Sequence, residues 1–466
     1  MCIRDSVSSI EVARGTNLNL VSDDIIYVSG RGGIWKSDNG GRAWQPAVAN
    51  MQATSNRGVA VNPNDPTQVV LANTDYVVLE TNSRFEDDDI IRDRPEFAES
   101  RGYDVLFNSR ARELVLGTGD RDANRGGEVF LKAATALGRD ILWTKTGLED
   151  VTPGNHGRVR AVAYGYHNGN APATKTILAA VEGEGVYRYK NRVWRKSTGV
   201  TIGGTDRSNF VWPDSENSGV VYLLDLTAGL CRSNDGGRTW TNIWPVMRFN
   251  NNDFFNTGYI TADDNDPTTL YVSVQGHRES PIPRGFRVFR LTQADTRIFG
   301  EPGTAGITDI SSHSGNTQIR RPGPIVFGPE GNLWLTQQQD SVNSVDASLF
   351  VMENPRTDVT FKDVSSEEYR NTAISPSGID VSTDRHVYVS QNGVGVVKAR
   401  IVGPLDPAVL LGDVDQDGTV DIGDATPFTQ LVMTGEYQLE ADINGDGYVD
   451  IYDLDPFALI ISMLAN

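Results

Sequence analysis

The sequence predicts an all-β chain of repeated units, followed by a small helical domain at the C-terminus. Three observations support this division. Short β-rich runs, each broken by Gly, Pro, Asn or Asp, continue to about residue 400. No stretch of sequence before residue 410 has a convincing helical period. Residues 412–466 contain two copies of an acidic loop, and an apolar run of helical character follows each copy.

A twelve-residue motif marks the β-rich part. It occurs as GIWKSDNGGRAW at 33–44 and as GLCRSNDGGRTW at 229–240. The second copy has the spacing S-x-D-x-G-x-x-W, and the first has Asn39 where the second has Asp235. In a hairpin turn, Asp and Ser side chains satisfy backbone groups and Gly permits the tight geometry. We interpret both copies as structural turns between the third and fourth strands of a blade, with the Trp packed between blades.

The spacing of the motif gives a unit length. Ser37 and Ser233 lie 196 residues apart, and four units fit between them, at 49 residues each. This length is close to the roughly 40–50 residues of known propeller repeats. A second similarity links VAVNPNDPTQVVLAN at 59–73 and YITADDNDPTTLYVS at 259–273. Each segment has the pattern of a strand, an N-D-P-T turn and a second strand. The sequence therefore predicts a β-propeller.

Eight such units fit into residues 8–402, so we expect an eight-bladed propeller, with seven blades as the alternative and a pair of β-sandwiches as the competing fold. The last unit is one strand short after VVKARI. We expect the N-terminal VSSIEVA to supply that strand and close the ring, because closure removes unpaired edges. Residues 1–7 are expected to be a non-native or truncated start, and 403–411 a linker.

The C-terminal repeat has a period of 29 residues. This shift places GDVDQDGTVDIGD, which begins at Gly412, on ADINGDGYVDIYD, which begins at Ala441. The match continues into the apolar runs, where Phe428 falls on Phe457. One physical explanation must therefore serve both copies.

Calcium provides that explanation. The ion takes about six to eight oxygen ligands, which a twelve-residue loop supplies from positions 1, 3, 5, 7, 9 and 12, with Gly at position 6. Without a cation, carboxylates this close would repel one another. The sequence predicts two calcium ions, one in each loop. The expected ligands are Asp413, Asp415, Asp417, Thr419, Asp421 and Asp424 in the first loop, and Asp442, Asn444, Asp446, Tyr448, Asp450 and Asp453 in the second.

The charge of the chain is concentrated in this segment. The formal net charge is −19, and residues 412–466 contain twelve Asp or Glu and no Lys or Arg. The preceding residues carry only −7, which argues against nucleic-acid binding. No apolar run has the length of a membrane span. The opening MCIRDSVSSI lacks the apolar core of a signal peptide.

The paired loop-then-helix pattern of residues 411–466 resembles a type I dockerin. The resemblance implies two bound calcium ions, an extracellular or cell-surface location, and a cohesin-like protein or a cell-surface anchor as the partner of residues 412–466. Cohesin-binding dockerins usually carry a hydroxyl pair at loop positions 10 and 11. This chain instead has Ile422 and Gly423 in the first loop, and Ile451 and Tyr452 in the second.

The S-x-D-x-G-x-x-W motif resembles the Asp-box propellers of the sialidase, xyloglucanase and sortilin types. Glycoside hydrolysis needs two carboxylates that flank the bond, and the sequence does not pair them, so catalytic residues and enzyme activity stay open. We expect a secreted carbohydrate-binding or glycoside-hydrolysing propeller with a polysaccharide at its face. The alternative is a non-catalytic extracellular propeller that binds a protein. Trp212 and Trp244 are candidates for sugar stacking or for core packing.

Overall fold

A computed structural model describes the chain over most of its β-rich part and over a smaller share of its C-terminal part. The described residues are 7–13, 25–30, 33–37, 45–46, 56–73, 77–83, 91–93, 100–108, 110, 112–120, 126–134, 143–152, 157–166, 174–203, 208–225, 227–245, 255–263, 266–276, 287–300, 302–313, 317–338, 346–365, 369–370, 376–383, 385–391, 395–400, 414, 422–434, 441, 449, 451, 454 and 457–458.

The chain divides into two compact units. One comprises residues 1–384 and 388–397, and the other residues 385–387 and 398–466. The described secondary structure of the first unit is β-strand throughout, apart from turns and a two-residue helical fragment at 369–370. In the described residues, no helix is long and apolar enough to span a membrane.

The strands of the first four sheets, in chain order, are β1 (Val7–Ala13), β2 (Ile25–Gly30), β3 (Gly33–Ser37), β4 (Gln45–Pro46); β5 (Asn56–Asn62), β6 (Asp65–Asn73), β7 (Val77–Thr81), β8 (Ile91–Asp93); β9 (Ser100–Phe107), β10 (Glu113–Asp120), β11 (Val129–Ala133), β12 (Thr144–Lys145); β13 (Val159–Gly165), β14 (Thr176–Val181), β15 (Gly185–Lys190) and β16 (Val193–Lys196).

The strands of the remaining sheets are β17 (Ser208–Val211), β18 (Val221–Asp225), β19 (Gly229–Ser233), β20 (Thr241–Asn242); β21 (Phe255–Ala262), β22 (Thr269–Gly276), β23 (Arg287–Thr292), β24 (Ile307–Asp309); β25 (Ser312–His313), β26 (Thr317–Gln318), β27 (Pro322–Phe327), β28 (Leu333–Gln337), β29 (Ser348–Met352), β30 (Thr360–Asp363); β31 (Pro376–Val381), β32 (His386–Gln391) and β33 (Gly395–Arg400).

Seven of these sheets form a closed ring. Each is an antiparallel meander in which consecutive strands pair, and β25 and β26 extend the sixth ring sheet beyond β30. The first strand of each sheet contacts the first strand of the next, in the order β5, β9, β13, β17, β21, β27 and β31, and β31 contacts β5 again. First strands are therefore innermost, and the fold is a seven-bladed β-propeller.

The preferred count of eight blades is wrong, and the alternative of seven is confirmed. The sheet β1–β4 has the rhythm of a blade, so a count by length includes it, but the ring closes between β31 and β5 without it. The proposed closing strand is wrong for the same reason. VSSIEVA is β1, which pairs with β2 in its own sheet, and three strands are described in the last blade.

The aspartates of the two N-D-P-T turns predicted from sequence form the same hydrogen bonds. Asp65 Oδ1 accepts hydrogen bonds from the backbone N and the Oγ1 of Thr67, at 3.1 and 2.6 Å. Asp266 Oδ1 accepts the same pair from Thr268, at 3.0 and 2.6 Å. Burial opposes ionisation of Asp266, but the hydrogen bonds from Thr268 prevail and lower the pKa of this carboxyl.

The hairpin between β19 and β20 uses its motif residues to satisfy the turn. Asp235 Oδ1 accepts the backbone N–H groups of Arg238 and Thr239, both at 2.9 Å. Ser233 Oγ accepts the backbone N–H of Gly237 at 2.9 Å, and Gly237 has a φ of 82° that favours glycine. Trp240 is buried among side chains of two neighbouring blades. The turn side chains of the first copy, at 33–44, lie outside the described residues.

The hydrophobic core lies between adjacent blades. One cluster joins strands β18 and β19 to strands β21–β24, with Trp244 and Phe289 in edge contact at 5.5 Å. Trp244 and Trp212 are both buried, and their Nε1 atoms donate to backbone carbonyls of Gly300 and Ser218. Both tryptophans are therefore core residues, and sugar stacking is excluded for them.

Candidate functional site

The C-terminal unit has a small core that pairs its two repeats. Val414, Phe428, Ala441, Val449 and Phe457 are buried against one another. The rings of Phe428 and Phe457 stack at 4.2 Å between centroids, with an interplanar angle of 2°. These two residues occupy equivalent positions under the 29-residue shift. The repeats therefore pack through the same residue of each copy.

One predicted calcium ligand lies within the described residues. Asp424 ends a 3-10 helix, Ile422–Asp424, and directly precedes helix α1 (Ala425–Thr434). Its side chain is 1% exposed. The other eleven predicted ligands lie outside the described residues: Asp413, Asp415, Asp417, Thr419, Asp421, Asp442, Asn444, Asp446, Tyr448, Asp450 and Asp453.

The position of Asp424 fits a cation ligand at the end of a loop. A buried carboxylate needs a compensating charge or several hydrogen bonds. A cation held by the loop would be one such charge. The predicted donor atoms are all oxygens, which calcium prefers. In the described residues, no group of three or more acidic, His or Cys side chains could hold a metal ion.

The second loop ends in an apolar surface. Ile451 is 68% exposed and Leu454 is 52% exposed. The backbone N of Leu454 donates to the carbonyl of Ile451 at 3.4 Å, so both side chains belong to one turn. Met433, near the end of α1, is 82% exposed. Exposed apolar groups on such a small domain are available for a partner surface.

The propeller contains a central cavity of about 880 Å³, walled by the inner strands. Its size falls within the range of ligand pockets, roughly 300–1,000 Å³. Five aromatic residues from four blades line it: Tyr103, Phe107, Phe210, Tyr259 and Phe327. The rings of Phe210 and Phe327 also contact the core rings of Trp240 and Tyr271. Six charged side chains share the wall: Arg57, Asp104, Arg160, Asp263, Glu330 and Asp380. The wall therefore combines aromatic residues with many charged and polar ones.

Two channel aspartates connect neighbouring blades. Asp104 Oδ2 accepts the backbone N–H of Val162 on the next inner strand, at 2.8 Å. Asp380 Oδ2 accepts the backbone N–H of Val61 at 2.7 Å, which spans the closure of the ring. Burial raises the pKa of Asp104 to about 7, against the lowering effect of its backbone hydrogen bonds. The Asp104 side chain is therefore partly neutral near physiological pH.

Two charged runs of the sequence, 85–97 and 276–286, are described only in part. The run at 85–97 is described at 91–93, as β8, and 277–286 lies outside the described residues. His313 belongs to β25 and packs on the ring of Phe350 at 5.0 Å between centroids. The channel residues were missed because a blade pattern does not show which strand is innermost.

The comparison with known domains decides the nature of the C-terminal unit. Residues 411–461 match the model described as "Dockerin type I domain". The chain carries a type I dockerin domain. Dockerin domains bind cohesins, and type I dockerins generally bind calcium. No curated protein matches the chain in sequence.

Solved structures resemble the propeller. An ancestral GH74 enzyme is 14% identical, with a TM-score of 0.52, and the match covers 77% of this chain and 46% of that enzyme. The GH74 xyloglucanase from Xanthomonas campestris is also 14% identical, with a TM-score of 0.36, and the match covers 81% of this chain and 50% of the enzyme. The dockerin-bearing chain therefore spans about half the length of these enzymes. At such identity, the likeness to the ancestral enzyme supports the propeller fold alone.

Proposed function

We propose that this protein is a secreted propeller that binds polysaccharide in its central channel and is attached through its dockerin domain. Its place is in polysaccharide degradation, as a carbohydrate-binding or glycoside-hydrolysing module. The observation that carries the proposal is the channel itself. Aromatic rings can stack on the apolar faces of sugars, and the charged groups beside them can hydrogen-bond the hydroxyls.

The dockerin domain supplies the attachment in this proposal. Two calcium ions would be held by the twelve ligands that the sequence predicts, Asp424 among them. Calcium would neutralise most of the acidic loops and fix the positions of the two helices that follow them. Ile451 is exposed at position 10, where a hydroxyl residue is usual, and Leu454 is exposed just after the loop. The cohesin partner of this domain would therefore offer an apolar surface.

Hydrolysis would require two carboxylates about 5–10 Å apart across the bound sugar. Asp104 and Asp380 line the channel, but each uses an oxygen to hold a neighbouring inner strand. This observation favours the second candidate function, a non-catalytic propeller that binds a partner without chemistry. The binding role therefore needs fewer assumptions than the hydrolytic one.

The experiment is an assay of binding and reducing-sugar release by the full chain, in calcium, over plant and marine polysaccharides and sialosides. Binding without release would identify a carbohydrate-binding module. Release from one substrate would identify a glycoside hydrolase and justify mutation of the channel carboxylates. Neither binding nor release from any substrate would contradict the polysaccharide proposal and leave the protein-binding function.

A further inference from the structure

In three inner strands, a backbone irregularity falls at a residue that lines the cavity. In β5, Asn56 pairs with Asn73 and Gly58 with Ala72, which leaves Arg57 as an extra residue. The next two inner strands have the same feature. Tyr103 is the extra residue of β9, and Arg160 is that of β13. A β-bulge re-aims a side chain, and bulges are frequent next to binding sites. All three residues line the cavity.

Two of the three already have protein partners. Arg160 Nη2 forms an ion pair with Glu182 Oε2 at 2.7 Å, and its side chain is 1% exposed. The guanidinium carbon of Arg160 lies 5.1 Å from the centre of the Tyr103 ring. This stacking and the ion pair hold both side chains in the wall. They form a fixed border beside Arg57, in which Glu182 balances the charge of Arg160.

Whereas Arg160 pairs with Glu182, Arg57 has no carboxylate partner among the described residues. Its Nε atom is buried and has no hydrogen-bond partner in the described part of the chain. None of the ion pairs between described residues includes Arg57. A guanidinium offers five N–H donors in a planar fork, and burial of such a donor without an acceptor costs free energy.

The carboxylates of the wall are engaged elsewhere. Asp104 holds the backbone of Val162, and the raised pKa of its carboxyl reduces the negative charge that it contributes. Asp263 pairs with Arg356, and Asp380 accepts the backbone N–H of Val61. Glu330 Oε2 accepts a hydrogen bond from Asn332 Nδ2 at 3.3 Å. The guanidinium of Arg57 therefore faces the cavity with donor capacity that an anionic oxygen pair would fill.

We propose that Arg57 is the anchor of an anion subsite in the channel, and that the polysaccharide bound there carries an acidic group, a carboxylate or a sulfate ester, on its sugar units. The proposal rests on the proposed polysaccharide function and names the substrate class. A planar carboxylate would form a bidentate pair with the guanidinium, and the aromatic wall would receive the sugar rings.

Calorimetric titration of the full chain in calcium tests this subsite with matched ligands. Trigalacturonate is compared with its methyl ester, which has the same skeleton without the charge. A sulfated carrageenan tetrasaccharide is compared with its desulfated form. We expect one acid of these two pairs to bind at least about tenfold more tightly than its neutral counterpart. The pair that shows the preference identifies the source of the anionic oxygens.

Two variants connect that preference to Arg57. Arg57→Gln is expected to weaken binding of the acid by about tenfold to a hundredfold and to leave the neutral counterpart nearly unchanged. Arg57→Lys keeps the positive charge but lacks the planar guanidinium, so its affinity for the acid should lie between those of Arg57→Gln and the unmodified chain. This variant still tests the subsite if Arg57→Gln is unstable. Arg195→Gln, on the exposed outer strand β16, is the matched control and should bind like the unmodified chain.

Equal binding of acid and neutral ligands would overturn the anion subsite while the polysaccharide function stands. Acid binding that Arg57→Gln does not weaken would overturn it as well. If no oligosaccharide of either kind binds, the proposed function fails and the subsite fails with it.

Discussion

At the scale of single residues, position on the inner strand decides what a polar side chain can do. Asp104 and Asp380 both reach across to the backbone of the next blade, so they contribute to ring closure as well as to the channel wall. Arg57 has no such bond within the described residues. The first two side chains stabilise the fold, and the third is available to a ligand.

The raised pKa of Asp104 has a consequence for stability. An unfolded Asp ionises near pH 4, whereas the folded group stays protonated up to about pH 7. Between these two pH values the folded state binds more protons than the unfolded state. The free energy of unfolding therefore falls as the pH rises from about 4 to 7, and it is constant above about pH 7. Asp104→Asn should keep the hydrogen bond from the backbone N–H of Val162 and should remove this fall in the free energy of unfolding. The fall amounts to about 2–4 kcal/mol.

Urea unfolding of both chains between pH 4 and 8 measures this difference. The advantage of Asp104→Asn over the unmodified chain should grow from pH 4 to 7 and then stay constant. Asp150→Asn, at an exposed site, is the control and should show no such growth. A constant difference at all pH values would contradict a raised pKa for Asp104.

At the scale of elements, a buried ion pair joins two neighbouring blades. Lys132 Nζ on β11 lies 2.9 Å from Glu80 Oε1 on β7, and both side chains are fully buried. Lys132 Nζ also lies 5.5 Å from the ring centre of Trp143. A pair buried in this way is costly to break, because the remaining buried charge would lose its ion-pair partner.

Glu80→Ala should therefore destabilise the propeller by about 3–5 kcal/mol. The double variant Glu80→Leu with Lys132→Met should recover most of that loss, since apolar groups of similar volume can replace such a pair. Glu149→Ala removes the partner of the partly exposed Lys145 and should cost less than about 1 kcal/mol. Denaturant titration measures all three variants. A Glu80→Ala cost as small as that of Glu149→Ala would contradict the account.

The calcium loops form another prediction at this scale. When calcium is removed from the full chain with a chelator and then titrated back, calorimetry should show two calcium ions bound per chain. Asp417→Ala and Asp446→Ala should each remove one of them, because each replaces a position-5 ligand of one loop. Gln438→Ala, between the loops, is the control and should retain both ions. Fewer than two ions in the unmodified chain would contradict the ligand assignment.

For the whole molecule, much of the architecture was predictable from repeats. The motif at 229–240 predicted a structural hairpin, and the 29-residue shift predicted a paired C-terminal domain, because local turn chemistry and loop spacing are encoded within a few residues. The blade count was not predictable in this way. It depends on the contact between β31 and β5, which are separated by some 300 residues. The channel residues depend on the same long-range closure, so Arg57 and Asp104 were not identified.

The central claim is that the channel binds polysaccharide while the dockerin domain attaches the protein. Equilibrium titration of the full chain, in calcium, with the best ligand of the polysaccharide panel tests it most directly. Phe107→Ala, on the channel wall, should weaken binding by about tenfold. Tyr189→Ala, on β15 beside Trp194, should leave it unchanged. Binding that Phe107→Ala does not affect, or that Tyr189→Ala affects equally, would contradict a ligand site in the channel.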